Sequence, residues 1–118
     1  MKIMGIGVDI VKNKRISASI KNKNFINRIF GENEILISEK IDNKTSYFSK
    51  RFAAKEALSK ALGTGFRDGL NFKDIEVVND KLGKPYYIIS SKIKNLIKKK
   101  KKIKNFNLFL SISDEKEY

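Results

Sequence analysis

Arg51-Phe-Ala-Ala-Lys-Glu-Ala-Leu-Ser-Lys-Ala-Leu62, closed by Gly63-Thr64-Gly65, decides how this chain is read. The stretch predicts a helix ended by a glycine and followed by a loop. On that helix Glu56 and Lys60 lie four residues apart, one turn from each other on one face. Phe52 and Lys55 border them, and Ala53, Ala54, Ala57 and Ala61 keep the surroundings slim. A carboxylate and an ammonium on a face of small residues suit a metal-bound phosphate anhydride. A surface salt bridge on an alanine-rich helix accounts for the same spacing. A second carboxylate in a suggestive place is needed before chemistry is favoured.

Asp9 is that second carboxylate. The N-terminal stretch Met1-Lys-Ile-Met-Gly-Ile-Gly-Val-Asp-Ile-Val11 reads as an apolar strand punctuated by Gly5 and Gly7. Glycines within a strand mark close approach by a ligand or another backbone. An aspartate near the end of such a strand suits a hard cation such as magnesium, which takes oxygen donors and keeps several waters. Taken alone, Asp9 reads equally as a turn residue. The Gly-Ile-Gly segment is no dinucleotide fingerprint, because the third glycine at the required spacing is missing.

Four blocks together resemble the holo-acyl-carrier-protein synthases. They are Gly5-Ile-Gly-Val-Asp9 with Arg15; Arg51-Phe-Ala-Ala-Lys-Glu56 with Lys60; Asp74-Ile-Glu-Val with Asn79-Asp80 and Gly83-Lys84-Pro85-Tyr86; and Ser111-Ile-Ser113. They follow the family's order and approximate spacing across essentially the whole chain. The resemblance implies an α+β fold, a single small domain of the 4′-phosphopantetheinyl transferase type over residues 1–118, with a long helix packed on an antiparallel sheet. It implies a homotrimer with active sites between subunits. The implied reaction transfers 4′-phosphopantetheine from coenzyme A to a serine of acyl carrier protein.

The bulk properties narrow the chemistry independently. A chain of 118 residues has room for one thin core. With no cysteine and no histidine, disulfides, thiolate catalysis and the usual zinc ligands are excluded. Acid–base work then falls to carboxylates, lysines or water on a metal. No apolar run is long enough to cross a bilayer and no signal-peptide pattern precedes Gly5, so a cytoplasmic enzyme is expected. The net charge of +13 invites a nucleic-acid reading, yet it comes from 22 lysines and only four arginines. Arginine is the residue of bidentate phosphate and base-edge contacts, so the imbalance argues against a specific nucleic-acid reader. The run Lys98–Lys102 reads as a solvated helix end, and a basic surface suits an acidic partner.

Periodicity places the motifs. Expected are a strand over 2–9, a short helix over 12–20, and a helical segment whose Phe25, Ile26, Ile29 and Phe30 face the core until Gly31 breaks it. A short helix over Glu34–Lys40 precedes a long one over Lys44–Leu62, capped by Asp42 or Asn43 and stopped by Gly63. Strands are expected at Asp74–Asn79 and Pro85–Ile89, joined by a turn at Leu82-Gly83-Lys84. Ser90 or Ser91 caps a helix with Ile93, Leu96 and Ile97 on one face. A last strand covers Asn105–Ser113.

Residue roles follow from the resemblance. Asp9 and Glu56 match the family's magnesium ligands, and Lys60 is positioned to contact the coenzyme phosphates. The serine proton goes to water on the metal or to a carboxylate such as Glu56. Arg51, Lys55, Gly63, Thr64 and Gly65 are candidates for the nucleotide end, with Gly83, Lys84 and Pro85, although the last three also suit a plain β-turn. Arg15, Lys21, Lys23 and Arg28 match a basic region that meets the carrier protein; for the lysines a solvated face is the alternative.

Two departures from the family pattern bear on activity. Asp114 stands where a histidine usually follows the Ser-x-Ser element, and the family continues past the tyrosine matching Tyr118 into another strand. A carboxylate near phosphates repels them, so weakened coenzyme binding is expected, with Asp114→His restoring it. An inactive relic of the family and a lysine-rich RNA-binding module are the competing readings. The latter would expose aromatics on a sheet.

Overall fold

The structure is a computed structural model that describes residues 17–63, 71–101 and 108. Residues 17–19 are helical and lead into α1 (Lys23–Ile29), whose start is capped by Asn22 Oδ1 accepting from Asn24 N at 2.9 Å. Helix α2 (Glu32–Ser38) follows at once, and α3 (Lys44–Leu62) is the long central helix. A 3₁₀ turn (Phe72–Asp74) enters β1 (Ile75–Asn79), which pairs antiparallel with β2 (Pro85–Ile89). Helix α4 (Ser91–Lys101) closes the described part. The expected strand at 2–9, residues 12–16 of the helix expected over 12–20, and the strand at Asn105–Ser113 apart from Leu108 lie outside the described residues.

The ends of α3 fall where its sequence puts them. Asn43, of the two candidate caps, accepts from Ser46 N at 3.1 Å, and Gly63 takes the left-handed C-cap conformation at φ 73°. Helix α2 begins two residues earlier than Glu34–Lys40 suggested, and the reason lies elsewhere in the chain. Gly31 has no side chain to cap the helix, so the Glu76 carboxylate of β1 accepts from Glu34 N at 3.1 Å in its place. Glu34 reaches back to Gly31 N at 2.9 Å, the half of a capping box that a glycine permits. A Cβ on Gly31 would run into the Glu76 side chain, so glycine is required here by close approach. At the other end Lys44 Nζ donates to the carbonyls of Ser38, the last residue of α2, and of Ile41 beyond it.

Two apolar clusters flank α3. Around its first half, Ile29, Phe30, Tyr47 and Phe48 are buried, with Phe25, Phe52 and Phe72 packed against them. Phe30 and Phe48 have ring centroids 4.6 Å apart, and Phe52 stacks on Phe72 at 5.4 Å. Around its second half, Leu58 and Leu62 meet Ile75, Ile93 and Ile97, with Tyr87, Ile89 and Leu108 at the margin. The β1–β2 register puts Ile75 opposite Ile89 and Val77 opposite Tyr87, so one sheet face carries these side chains towards the helix. Asp74 belongs to the 3₁₀ turn rather than to β1. Ser90, not Ser91, caps α4 by accepting from Ile93 N at 3.2 Å. Ile93 and Ile97 are buried below Leu96, as the spacing required.

Candidate active site

Helix α3 presents two different faces. Towards the sheet it buries Arg51, Ala54, Lys55, Leu58 and Leu62. Away from it, Ala53, Glu56, Ala57 and Ala61 are half-buried and Lys60 is exposed.

Lys55 was a candidate for the nucleotide end, and the structure gives its ammonium another occupation. Side-chain exposure is 0% for both Lys55 and Glu34, which form an ion pair at 2.5 Å. The same nitrogen donates to the carbonyls of Ile29 at 3.0 Å, Phe72 at 3.0 Å and Ile75 at 2.6 Å. An ammonium has three protons, so four oxygens saturate it, with one proton shared. Glu34 is saturated too: besides Lys55 and Gly31 N it accepts from Val77 N at 2.9 Å. The Ile75 carbonyl and the Val77 N–H lie on one edge of β1, because alternate strand residues point their polar groups to the same side. The pair therefore satisfies strand groups that would otherwise be buried without partners. Burial pushes the Glu34 carboxyl up and the Lys55 ammonium down in pKa, each against the pull of the other's charge.

Arg51 sits in a cleft of about 440 Å³ together with Tyr47, Lys50, Asn79, Gly83 and Pro85. The fold thus brings together Arg51 of the second block and Gly83 and Pro85 of the third. Arg51 Nη2 donates to Asn79 Oδ1 at 2.6 Å and Nη1 to the Tyr47 carbonyl at 3.2 Å, while its guanidinium lies 3.6 Å over the Tyr47 ring. Asn79 in turn donates to the Gly83 carbonyl at 2.8 Å, tying the arginine to the turn. Gly83 needs its freedom, since φ is 86° there. Asp80 Oδ1 accepts from Leu82 N and Lys84 N, so the turn is built locally as well as facing the cleft. Arg51 Nε is buried and finds no hydrogen-bond partner. Burial pushes the Arg51 pKa down but leaves the guanidinium charged. The Arg51 charge, with Lys50 on the same wall, makes the cleft positive and suited to an anion.

The remaining candidates are scattered. Gly63 and Lys84 are exposed. Lys21 and Lys23 are exposed as well, and Arg28 lines a separate cleft with Ser19, Asn22, Asn24 and Phe25. Asp9, Arg15, Thr64, Gly65 and Asp114 lie outside the described residues. Among the described residues no three acidic side chains cluster. A magnesium site made from one or two carboxylates, waters and substrate phosphates needs no such cluster, and the half-buried Glu56 has the required oxygen chemistry. No described helix is long and apolar enough to cross a membrane. The RNA-binding alternative required aromatics displayed on a sheet. Five phenylalanines (25, 30, 48, 52 and 72) instead belong to the core around α3, although Tyr86 on the sheet is 45% exposed.

Sequence reasoning gave no role to Glu34, Glu76, Asn79 and Tyr87. Gly31-x-x-Glu34 has half of a capping-box spacing, which was a usable signal for the start of α2. No local pattern announced the partners of Lys55, which lie 20 to 26 residues away for three of its four bonds.

Comparison with known proteins gives one answer. Residues 5–111 match the 4′-phosphopantetheinyl transferase superfamily. The holo-[acyl-carrier-protein] synthase of Pelagibacter ubique is 66% identical over 118 residues, spanning 100% of this chain and 92% of that protein. The acyl carrier protein synthase of Plasmodium yoelii, solved with ADP bound, superposes with a TM-score of 0.80 at 41% identity, covering 98% of this chain and 88% of that one. The Bacillus anthracis holo-(acyl-carrier-protein) synthase, solved in complex with CoA (3′,5′-ADP), gives 0.69 at 44% identity over 75% of this chain and 77% of that one. With the match running from the first glycine block to Ser111, this chain belongs to the holo-acyl-carrier-protein synthase family of the 4′-phosphopantetheinyl transferase superfamily.

Proposed function

We propose that this protein transfers 4′-phosphopantetheine from coenzyme A to a serine of apo-acyl carrier protein, releasing adenosine 3′,5′-bisphosphate. The observation that carries the reading is the 66% identity over the whole chain to a holo-[acyl-carrier-protein] synthase. The arrangement of α3 supports it, with its inner face locked and Glu56 and Lys60 on the face that reaches solvent. The serine oxygen attacks the phosphorus that carries the pantetheine arm, and the anhydride bond to the nucleotide phosphate breaks. The serine proton passes to a base, for which the Glu56 carboxylate is the described candidate. Lys60 offsets the charge left on the departing phosphate. Asp9 and Glu56 would hold magnesium, which supplies a Lewis acid to the diphosphate. Arg51, through its charge beside the cleft, with Gly83, Lys84 and Pro85, takes the nucleotide end.

Arg51 and Glu56 stand about 140° apart around the helix, since five residues turn it by that much beyond a full circle. One coenzyme reaching both groups is more simply held between two copies than wrapped around one helix. This favours sites between subunits, and we take the assembly to be the homotrimer that the family resemblance implies, a cytoplasmic enzyme of fatty acid biosynthesis. Arg15, Lys21, Lys23 and Arg28 meet the acidic carrier protein, raising the association rate more than the final affinity.

Mass spectrometry of apo-acyl carrier protein, incubated with this protein, coenzyme A and magnesium, tests the reading. A mass gain of one phosphopantetheine arm is expected, lost with Asp9→Ala or Glu56→Ala. No gain from folded protein would overturn the assignment and leave the inactive relic.

A further inference from the structure

We infer that Glu34 and Lys55 are positioning residues that set the roll of α3 and thereby aim Glu56. The inference rests on the transferase reading, in which Glu56 works at the phosphates. Lys55 precedes Glu56 directly, so the two side chains are separated by about 1.5 Å of rise and 100° of rotation on a rigid helix. The Lys55 nitrogen is gripped by oxygens from three separate places: the end of α1 at Ile29, Glu34 in α2, and the entrance to β1 at Phe72 and Ile75. A second grip acts one residue earlier, where Tyr87 of β2 donates its hydroxyl proton to the Ala54 carbonyl at 2.7 Å. A third lies one turn before, where Arg51 is bound to Asn79. The helix cannot rotate or slide without breaking all three.

The strength of the device lies in its position. An apolar contact tolerates sliding, because dispersion and burial are non-directional. Four hydrogen bonds to one ammonium do not, because each has a preferred length and angle. Residues 54 and 55 are thus fixed by directional bonds, whereas Leu58 and Leu62, further along, rest on aliphatic side chains. The directional anchorage is concentrated immediately before the carboxylate that has to be aimed. Removing the hydrogen-bond partners of metal ligands costs about 10- to 100-fold in metal affinity or activity, and an anchorage that acts on the ligand through the helix is expected to cost up to the same range.

The test compares Lys55→Met and Glu34→Gln with Ile97→Ala, which loosens the aliphatic cluster on α4 without touching the grip. For each folded variant one measures melting temperature, kcat and KM for coenzyme A, and magnesium affinity by calorimetry with coenzyme A present. Positioning predicts that Lys55→Met loses about 10- to 100-fold in kcat or magnesium affinity with KM for coenzyme A little changed. Ile97→Ala should lose melting temperature alone. Glu34→Gln, which keeps an oxygen for Lys55 but turns an N–H against one of the two backbone donors, should fall in the same direction and decides the matter if Lys55→Met does not fold. Folded Lys55→Met or Glu34→Gln with kcat and magnesium affinity within about twofold of the parent would show a purely structural pair and overturn the inference. Glu56→Gln belongs in the same series. If it matches the parent, the transferase assignment of Glu56 falls and the inference with it. If it is inactive while the two grip variants match the parent, the inference alone falls.

Discussion

The two faces of α3 carry the same chemistry to opposite ends. Inside, a carboxylate and an ammonium, Glu34 and Lys55, are fully buried and saturated by backbone groups of β1, α1 and the 3₁₀ turn. Outside, Glu56 is half-buried and Lys60 exposed, on a face kept slim by alanines. A charge that has lost its water and gained a full set of fixed partners is a structural element. A charge that keeps access to solvent can exchange partners and meet a phosphate. Residue type did not separate the two cases. Burial did.

The largest effect that could break this comparison is on the inner face. Lys55→Met should destabilise the fold by about 3–5 kcal/mol, because it leaves Glu34 buried without its counter-charge. Urea unfolding measures this, and a loss near zero would mean that the inner pair is as dispensable as a surface one. On the outer face Glu56→Ala should do the reverse. Transfer to the carrier protein should drop by about 10²–10³-fold, with stability inside about 0.5 kcal/mol of the parent. A comparable loss of stability would erase the distinction between the faces.

Gly31→Ala sharpens the comparison from a neighbouring element. Its methyl group has to displace the Glu76 carboxylate that caps α2, so a cost of about 1–3 kcal/mol is expected. Combining it with Glu76→Ala should recover part of that cost if the collision is the cause. Tyr87→Phe is the smallest change, about 1 kcal/mol at neutral pH for the lost bond to Ala54. It also carries a pH signature. Burial pushes the Tyr87 hydroxyl up to about 12, so between pH 10 and 12 the folded protein keeps a proton that the unfolded chain releases. The stabilisation is complete below pH 10 and is lost as pH rises through about 12. The stability gap between parent and Tyr87→Phe should therefore narrow on the alkaline side.

The sequence was most legible where structure is local. Gly63 and the Asp42-Asn43 pair placed the ends of α3, with the structure choosing Asn43 as the cap, since a side-chain cap and a left-handed glycine act within one turn. Pro85–Ile89 was readable from its turn, and α4 from the spacing of Ile93 and Ile97. The start of α2 was misread because its cap comes from Glu76, 42 residues further on. The partners of Lys55 were illegible for the same kind of reason. In sequence it is one more basic residue beside Glu56, and nothing nearby says that a strand edge needs its protons.

By itself, then, the sequence determined the helices and the hairpin, the absence of histidine and cysteine chemistry, and the ordered blocks that mark the family. These depend on neighbours within a few residues or on residue identity alone. Only the tertiary structure decided which charges are sealed into the fold and which keep access to solvent. That choice is made by burial, and burial is a property of the packed elements rather than of any segment: Lys55 becomes structural when β1, α1 and α2 close over it, while Glu56, one residue later, is turned away from them.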